Sequence, residues 1–570
     1  MTSELRRRLD QLAGRPFDLV VIGGGITGAF TAWDAALRGL SVALLERGDF
    51  GGATSAASSK VIHGGIRHLQ KGEIGRVKES IRERAVFLRI APHLVHRVPF
   101  LIPTYGHGMR GKEVLRAGML AYETLAIGQN RHLHDPERQL ARHRVLSRNE
   151  VLAFEPGLEP HGLTGGVRYE ECHLYSSERM TLAVVQAAAA AGATVANYVE
   201  VTDFLRAGDE IQGVRVRDRL PALARGADRT GEPVLEVRGK LVANVTGPWA
   251  PLVTALLDRK PARKFALAKG CHLVTRPITR SGAVAFATAH KNEGLINRGG
   301  RHFFVIPWRG RSLIGTTNVP YEGDPAAVGV TEKDVSDFLV ELNAGYPAGA
   351  LTRADVCHAF AGLYPLVDKE VRADVYQGAS RYEIHDHAAD GIAGLITVIG
   401  AKYTTARHLA QQTVDLVFRK QGRAVPAART AETPVAGGAV ERVADLLRAV
   451  RGERGSGRTL DEDIVQDLAS NYGADYRAVT AELARDPESA ARLTPERPTI
   501  RAMVRHAVRH EMALRLSDVV FRRSGLGTIG HPGEPALRAA AAIMAEELGW
   551  DPGRIERELA ACAVLFRVSA

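Results

Sequence analysis

At 570 residues the chain is too long for one ordinary domain, and its 45% hydrophobic and 24% charged content is that of a globular protein, not a disordered one. A net charge of +11 favours anionic partners, such as a phosphorylated substrate or an acidic membrane surface. The four cysteines are scattered with no C-x-x-C pair, which argues against a disulfide framework, a zinc site or an iron–sulfur cluster, and no zinc-finger or RNA-binding signature points to nucleic acid.

The opening segment MTSELRRRLDQLAG has a basic cluster but no apolar stretch behind it, so no signal peptide is expected. Residues 17–22, FDLVVI, form an apolar run of strand length. Gly23, Gly25 and Gly28 then complete G-x-G-x-x-G. The first glycine permits a tight turn, the second lets a pyrophosphate approach the backbone, and the third lets helix and strand pack closely. Residues 26–38 have a helical pattern stopped by Gly39, and residues 41–45 read as a second strand ending at Glu46. A carboxylate there can accept hydrogen bonds from an adenosine ribose, so the unit predicts dinucleotide binding.

The loop 51–69, GGATSAASSKVIHGGIRHL, is dense in small and hydroxyl residues, with Thr54, Ser55, Ser58 and Ser59 beside Lys60, His63 and Arg67. Such a loop can bring N–H groups and hydroxyls against a pyrophosphate and a ring system. Residues 182–199 are the longest weakly polar stretch, but Gln186, Gly192 and Asn197 interrupt them, so any membrane association is expected to be peripheral. In LVANVTGPWAPLV (241–253) a strand closes on Thr246-Gly247, a second close approach of backbone to a cofactor. In GLITVIGAKYTTARHLAQQTVDLV (394–417) a strand turns at Gly400 and a helix starts near Thr404, its N-terminus offering partial positive charge. Residues 419–438, rich in Pro, Gly, Ala and Thr, predict a linker. Beyond it, residues 441–451, 461–471, 500–515 and 535–548 have helical spacing and predict a separate helical domain. Arg501, Arg505 and Arg509 share one face there, read as a solvated face.

VVIGGGITG, TSAASSKVIHGGIRHL, KGCHLV, FVIPW, IGTTN, NVTGPW and GAKYTTARHLA, with the tail RHEMALRLSDVVFRRSGLG, together resemble the FAD-dependent (aerobic-type) glycerol-3-phosphate dehydrogenase family of the D-amino-acid-oxidase-like flavoprotein superfamily. The resemblance implies an α/β fold in three parts. These are a discontinuous Rossmann-like FAD domain (about 16–95, 165–265 and 355–420), an α+β substrate domain with an antiparallel sheet (about 96–164 and 266–354), and a C-terminal helical cap (435–570). It implies oxidation of sn-glycerol 3-phosphate to dihydroxyacetone phosphate, with electrons passed to a quinone or other acceptor. It also implies a cytoplasmic enzyme, peripheral on the inner membrane. Self-association as a homo-oligomer stays open.

By the same resemblance, FAD would meet Gly23, Gly25, Gly28, Glu46, Thr54, Ser58, Ser59, Val201, Thr246, Gly247, Gly400 and Thr404. Arg67, Lys402 and His272 would carry catalysis, and Arg67, His68, Tyr364, Arg381, Lys402 and Thr405 would bind substrate. No metal is expected, and the cap, which holds no flavin signature, is expected to be dispensable for FAD. The chain departs from the family pattern at three places: Tyr364 and His68 stand where arginine and tyrosine are usual, and Asn318 where aspartate is usual. Two alternatives therefore stay open. One is a related FAD oxidoreductase acting on another small polyol, hydroxy acid or amine; the other is a non-catalytic FAD-binding sensor or scaffold.

Overall fold

The computed structural model describes residues 4–569 apart from 70–71, 109–110, 226–233, 258–265, 280, 288–290, 293–301, 367–374, 377–381, 401 and 456–457. The dinucleotide pattern folds as read. Leu19–Ile22 (β1), Val42–Leu45 (β2), Thr194–Ala196 (β3), Val242–Asn244 (β4), Glu383–Asp386 (β5) and Leu395–Ile399 (β6) form one sheet in the order β5-β6-β4-β1-β2-β3. All pairs are parallel except β5 with β6.

Apolar residues run without alternation through β1 and β2 because both faces of the sheet are covered. On one face lie helices Ile26–Leu37 (α1), Ser177–Ala190 (α2) and Ala406–Lys420 (α3), which share a core through Phe30, Trp33, Val184, Val185, Ala410 and Val414. On the other lies a three-stranded antiparallel sheet (Val199–Ala207, Glu210–Asp218 and Val234–Arg238), whose Phe204, Val214, Val216 and Val237 pack against Val20, Leu45 and Val242. The parallel strands thus end together, with the loops that follow them gathered at one edge.

A second, mostly antiparallel sheet of ten strands stands beside this domain, with Val95–Tyr105, Leu163–Leu174, Ala266–Thr275, His302–Trp308, Arg311–Gly315 and Val356–Leu366 among its strands. Leu163–Leu174 pairs along Val95–Tyr105, and Val356–Leu366 along Ala266–Thr275. The expected boundaries at 165 and 355 therefore cut across or abut strands of this sheet. Alternation in a strand says which face is buried but not which distant strand is its partner.

Helices Val443–Arg451, Glu462–Tyr472, Tyr476–Arg485, Arg501–His510, Glu534–Leu548 and Pro552–Val564 form the C-terminal part around two cores of their own. The helix expected over 500–515 stops at His510. Glu511 turns inward to pair with Arg179 (2.6 and 2.7 Å), and the chain resumes as a π-helical turn, Asp518–Arg523. The arginine face is partly solvated, with Arg509 exposed and Arg501 and Arg505 half-buried, but two of its arginines also bridge to neighbouring helices. Arg505 reaches Glu546 at 3.0 Å, and Arg509 reaches Glu482 and Glu547 at 2.7 Å each, so the arginines staple helices together.

The stretch between α3 and the first of these helices has no regular structure, yet it is fastened. Val435 is buried in the main core, Thr430 accepts from Arg407 at 3.2 Å, and Ala431 O accepts from Arg89 Nε at 3.1 Å. It is a strap rather than a free linker.

Candidate functional site

The loops that follow β1, β2, β4 and β6, with one face of the ten-stranded sheet, line a cavity of about 1260 Å³. Pockets for a drug-sized ligand run to roughly 300–1,000 Å³, so this one has room for a dinucleotide and a small substrate.

One end is a backbone cradle. Gly23 has φ +105°, and a Cβ there would lie 2.8 Å from Val245 O. A Cβ on Gly28 would lie 1.9 Å from Gly23 O, so only glycine lets α1 start this close to β1. Gly23 and Gly25 line the cavity, and Gly28 lies beneath it as the packing glycine. The N–H groups opening α1 face this space; Ser55 Oγ accepts that of Ile26 at 2.9 Å. Glu46 at the end of β2 lines the same end. Its Oε2 accepts from Gly24 N and its Oε1 from Gly48 N, each at 2.7 Å. These bonds hold the carboxylate in one orientation and leave lone pairs for ribose hydroxyls. Thr54, Ser58, Ser59, Val201, Thr246, Gly247, Gly400 and Thr404 all line the cavity too. A Cβ on Gly400 would sit 3.2 Å from Thr27 Oγ1, so the late turn closes directly onto the early helix. The residues present thus fit FAD, with a glycine cradle, an open helix N-terminus and an oriented ribose acid along one wall.

The serine-rich loop is held by Lys60. This buried residue has φ +57°, and its Nζ donates to both oxygens of Glu178 at 2.8 and 2.9 Å and to Ser177 Oγ at 2.9 Å. It pins the loop to the start of α2.

The other end is cationic. Arg67, Arg76 and Lys402 line it with His63, His68 and Glu73. His68 Nδ1 meets Glu73 Oε2 at 2.6 Å while its Nε2 contacts Lys402 Nζ. Donation from Nδ1 to Glu73 makes Nε2 the acceptor for the ammonium. Burial, then Lys402, pushes His68 down to about 4, so the ring is neutral at physiological pH. Burial, then Arg76, lowers Lys402 to about 8, so it is still mostly charged there.

His272 also lines the cavity, from the substrate sheet. Its Nε2 lies 2.9 Å from Ser59 Oγ, and its ring stacks on Phe360 with centroids 5.1 Å apart. Burial, then Lys60, lowers it to about 3. This neutral imidazole is too weak a base to keep a proton, so its geometry suits orienting Ser59 and the substrate better than storing a proton.

Three further residues complete the sequence reading. Thr405 precedes α3 at a buried position outside the cavity lining, and Thr404 takes the lining place, accepting from His63 N at 3.3 Å. Arg381 lies outside the described residues. Tyr364 lines the cavity and its hydroxyl donates to Asn318 Oδ1, so two of the three departures from the family pattern touch one another.

The sequence reading missed the C-terminal contribution. Arg515, Ser517, Arg522, Glu558 and Cys562 line the cavity. Asp49, just beyond Glu46, receives Arg522 Nε at 2.6 Å, Arg523 at 2.6 and 2.9 Å, and Asn197 Nδ2 at 2.9 Å. Burial alone would raise the Asp49 carboxyl, but Arg523 and Arg522 hold it down to about 2. The paired arginines in VVFRRSG were the available signal; nothing in their spacing names Asp49.

Residues 18–407 match the family described as FAD dependent oxidoreductase, and residues 428–555 match the C-terminal domain of alpha-glycerophosphate oxidase. The chain is 32% identical over 565 residues to a glycerol-3-phosphate dehydrogenase of Synechocystis sp., covering 97% of each protein. It is 33% identical over 558 residues to glycerol-3-phosphate dehydrogenase 2 of Mycobacterium bovis, covering 96% of this chain and 88% of that protein. Among solved structures it resembles the glycerol-3-phosphate dehydrogenase from Bacillus halodurans complexed with FAD, at 27% identity and a TM-score of 0.75, covering 98% of this chain and 97% of the other.

Proposed function

The chain belongs to the FAD-dependent oxidoreductase family, with the C-terminal domain of alpha-glycerophosphate oxidase, and from that membership we propose that it oxidises sn-glycerol 3-phosphate to dihydroxyacetone phosphate. One observation carries the reading: a single cavity joins a dinucleotide cradle at Gly23, Gly25 and Glu46 to a half-buried cationic end at Arg67, Arg76 and Lys402. When bound, FAD supplies the hydride acceptor, which no side chain can provide.

The protein's own groups do the rest. Lys402 and Arg67 hold the phosphate, each charged hydrogen bond contributing about 1.5–3 kcal/mol. His68, braced by Glu73, keeps Lys402 in place. His272 and Ser59 orient the secondary hydroxyl, and because the imidazole does not retain a proton, the hydroxyl proton is released to solvent as the hydride leaves its carbon. The ten-stranded sheet roofs the reacting carbon and excludes water. Electrons leave to a quinone or another acceptor. We assign residues 16–420 to the oxidoreductase region and 435–570 to the helical part.

The test is turnover with an artificial electron acceptor across glycerol 3-phosphate, glycerol and simple hydroxy acids. The reading requires activity with glycerol 3-phosphate and little with glycerol. A clear preference for an unphosphorylated donor would favour the alternative that Tyr364 and Asn318 keep open, a related enzyme for another small alcohol.

No helix among the described residues is long and apolar enough to cross a membrane. With a net charge of +11, the protein is assigned a peripheral place on an anionic cytoplasmic membrane face. Binding to anionic vesicles should weaken as salt rises; salt-independent binding would count against it.

A further inference from the structure

Away from the cavity, the edge strand β5 and the turn after it carry the sequence His385-Asp386-His387-Ala388-Ala389-Asp390. β5 pairs with β6 so that His385 stands opposite Thr397. The chain then makes one short helical turn, His387–Asp390, closed by Gly391 at φ +79°. This folding aims both imidazoles at one carboxylate oxygen: His385 Nε2 lies 2.6 Å and His387 Nδ1 3.1 Å from Asp390 Oδ2. The three ligand atoms lie within 4.8 Å of one another, and the two rings meet edge to face with centroids 4.6 Å apart.

Two further observations bear on what this cluster holds. His387 Nε2 is engaged by Thr397 Oγ1 at 2.8 Å, the outer hydrogen bond that usually orients a metal-bound histidine. When His387 donates that bond, its Nδ1 lone pair faces the Asp390 oxygen, so two acceptors meet unless a cation lies between them. Asp386, the other acid at hand, is taken up by Lys420 at 2.8 Å to each oxygen and by Ala388 N at 3.1 Å. It orders the turn and stays out of the cluster. About a quarter of each of the His385 and Asp390 side chains is exposed, so an ion can enter and water can complete its coordination.

We propose that His385 Nε2, His387 Nδ1 and Asp390 Oδ2 bind one divalent transition-metal ion of the kind that prefers imidazole and carboxylate, with Zn²⁺ the representative. Metal–ligand bonds of about 2.0–2.2 Å place tetrahedral ligands about 3.3–3.6 Å apart, so the 2.6 and 3.1 Å contacts present would open by up to about 1 Å. The ion would clip the end of β5 to the following turn and, through Thr397, to β6, three residues before Gly400 at the cavity. Its role is to hold this edge of the sheet and not to take part in hydride transfer.

The test uses chelator-treated, untagged holoprotein in equilibrium dialysis against Zn²⁺, with elemental analysis. Because the chain has 20 histidines, the variants decide the site. The expected result is one Zn²⁺ that His385→Ala and Asp390→Asn lose or bind at least tenfold more weakly, and an affinity loss of about 10–100-fold in Thr397→Val. An unchanged flavin spectrum certifies folding. At equal Zn²⁺ concentration the thermal midpoint should rise more for the wild type than for any of the variants. Should a variant release its flavin, Cu²⁺ bound to the wild type decides alone: electron paramagnetic resonance should show two coupled nitrogens. No zinc binding by the wild type, equal binding by wild type and both substituted proteins, or a copper signal without nitrogen coupling overturns the proposal.

Discussion

Lys402 makes the cationic end of the cavity sensitive to pH. Burial, then Arg76, brings it to about 8, so it is charged below that value and loses its proton above it. Phosphate binding therefore weakens as pH rises, and kcat/KM for a phosphorylated substrate should fall above about pH 8. Lys402→Arg, whose guanidinium stays charged, should carry the plateau to higher pH. A profile unchanged by that substitution would remove Lys402 from phosphate binding. Tyr364 and Asn318 form the second residue-scale case. Arginine placed alone at 364 would face the neutral Asn318 amide, whereas Tyr364→Arg combined with Asn318→Asp supplies both partners. One added charged hydrogen bond of about 1.5–3 kcal/mol corresponds to roughly tenfold or more, so the double variant should exceed the wild type in kcat/KM for glycerol 3-phosphate. A folded double variant at or below wild-type activity would contradict this. The sequence exposed both departures separately. Their contact was not legible, because they lie 46 positions apart, Asn318 just before Val319–Tyr321 and Tyr364 on a distant strand, and no local pattern brings them together.

At the scale of elements, the early strand–glycine–helix unit was readable because its residues are contiguous in sequence, and Gly28 answers a local clash with Gly23 O, although Gly23 itself answers the distant Val245 O. The loop after β2 was not. Its anchor is Asp49, clamped by Arg522 and Arg523 from a π-helical turn more than 470 positions later. Asp49→Ala would leave two arginines with part of their buried compensation gone. We expect a loss of about 3–5 kcal/mol in denaturant unfolding, together with weaker FAD retention, since the same loop adjoins Glu46. A variant as stable as the wild type would show that Asp518 and Glu511 O suffice for the arginines. The ten-stranded sheet shows the same limit. Its presence followed only from the family resemblance, and the membership of Leu163–Leu174 and Val356–Leu366 is set by long-range pairing.

For the molecule as a whole, the cofactor region and the C-terminal helices behave as one unit. Arg179–Glu511 and the Asp49 clamp are buried ion pairs across their junction, and Arg515, Ser517 and Arg522 stand in the cavity wall. The expectation that the C-terminal part is dispensable for FAD is therefore replaced. A chain cut within 419–438 should lose most of its FAD affinity; full retention in the cut chain would restore the independent-cap view. The central claim is that one cavity presents a phosphorylated secondary alcohol to the flavin. The most direct measurement is anaerobic mixing of oxidised holoprotein with glycerol 3-phosphate or glycerol in a stopped-flow spectrometer. The account predicts rapid bleaching of the flavin band by glycerol 3-phosphate alone, with dihydroxyacetone phosphate formed one for one with reduced flavin. Bleaching by glycerol at a comparable rate, or none with glycerol 3-phosphate, would contradict it.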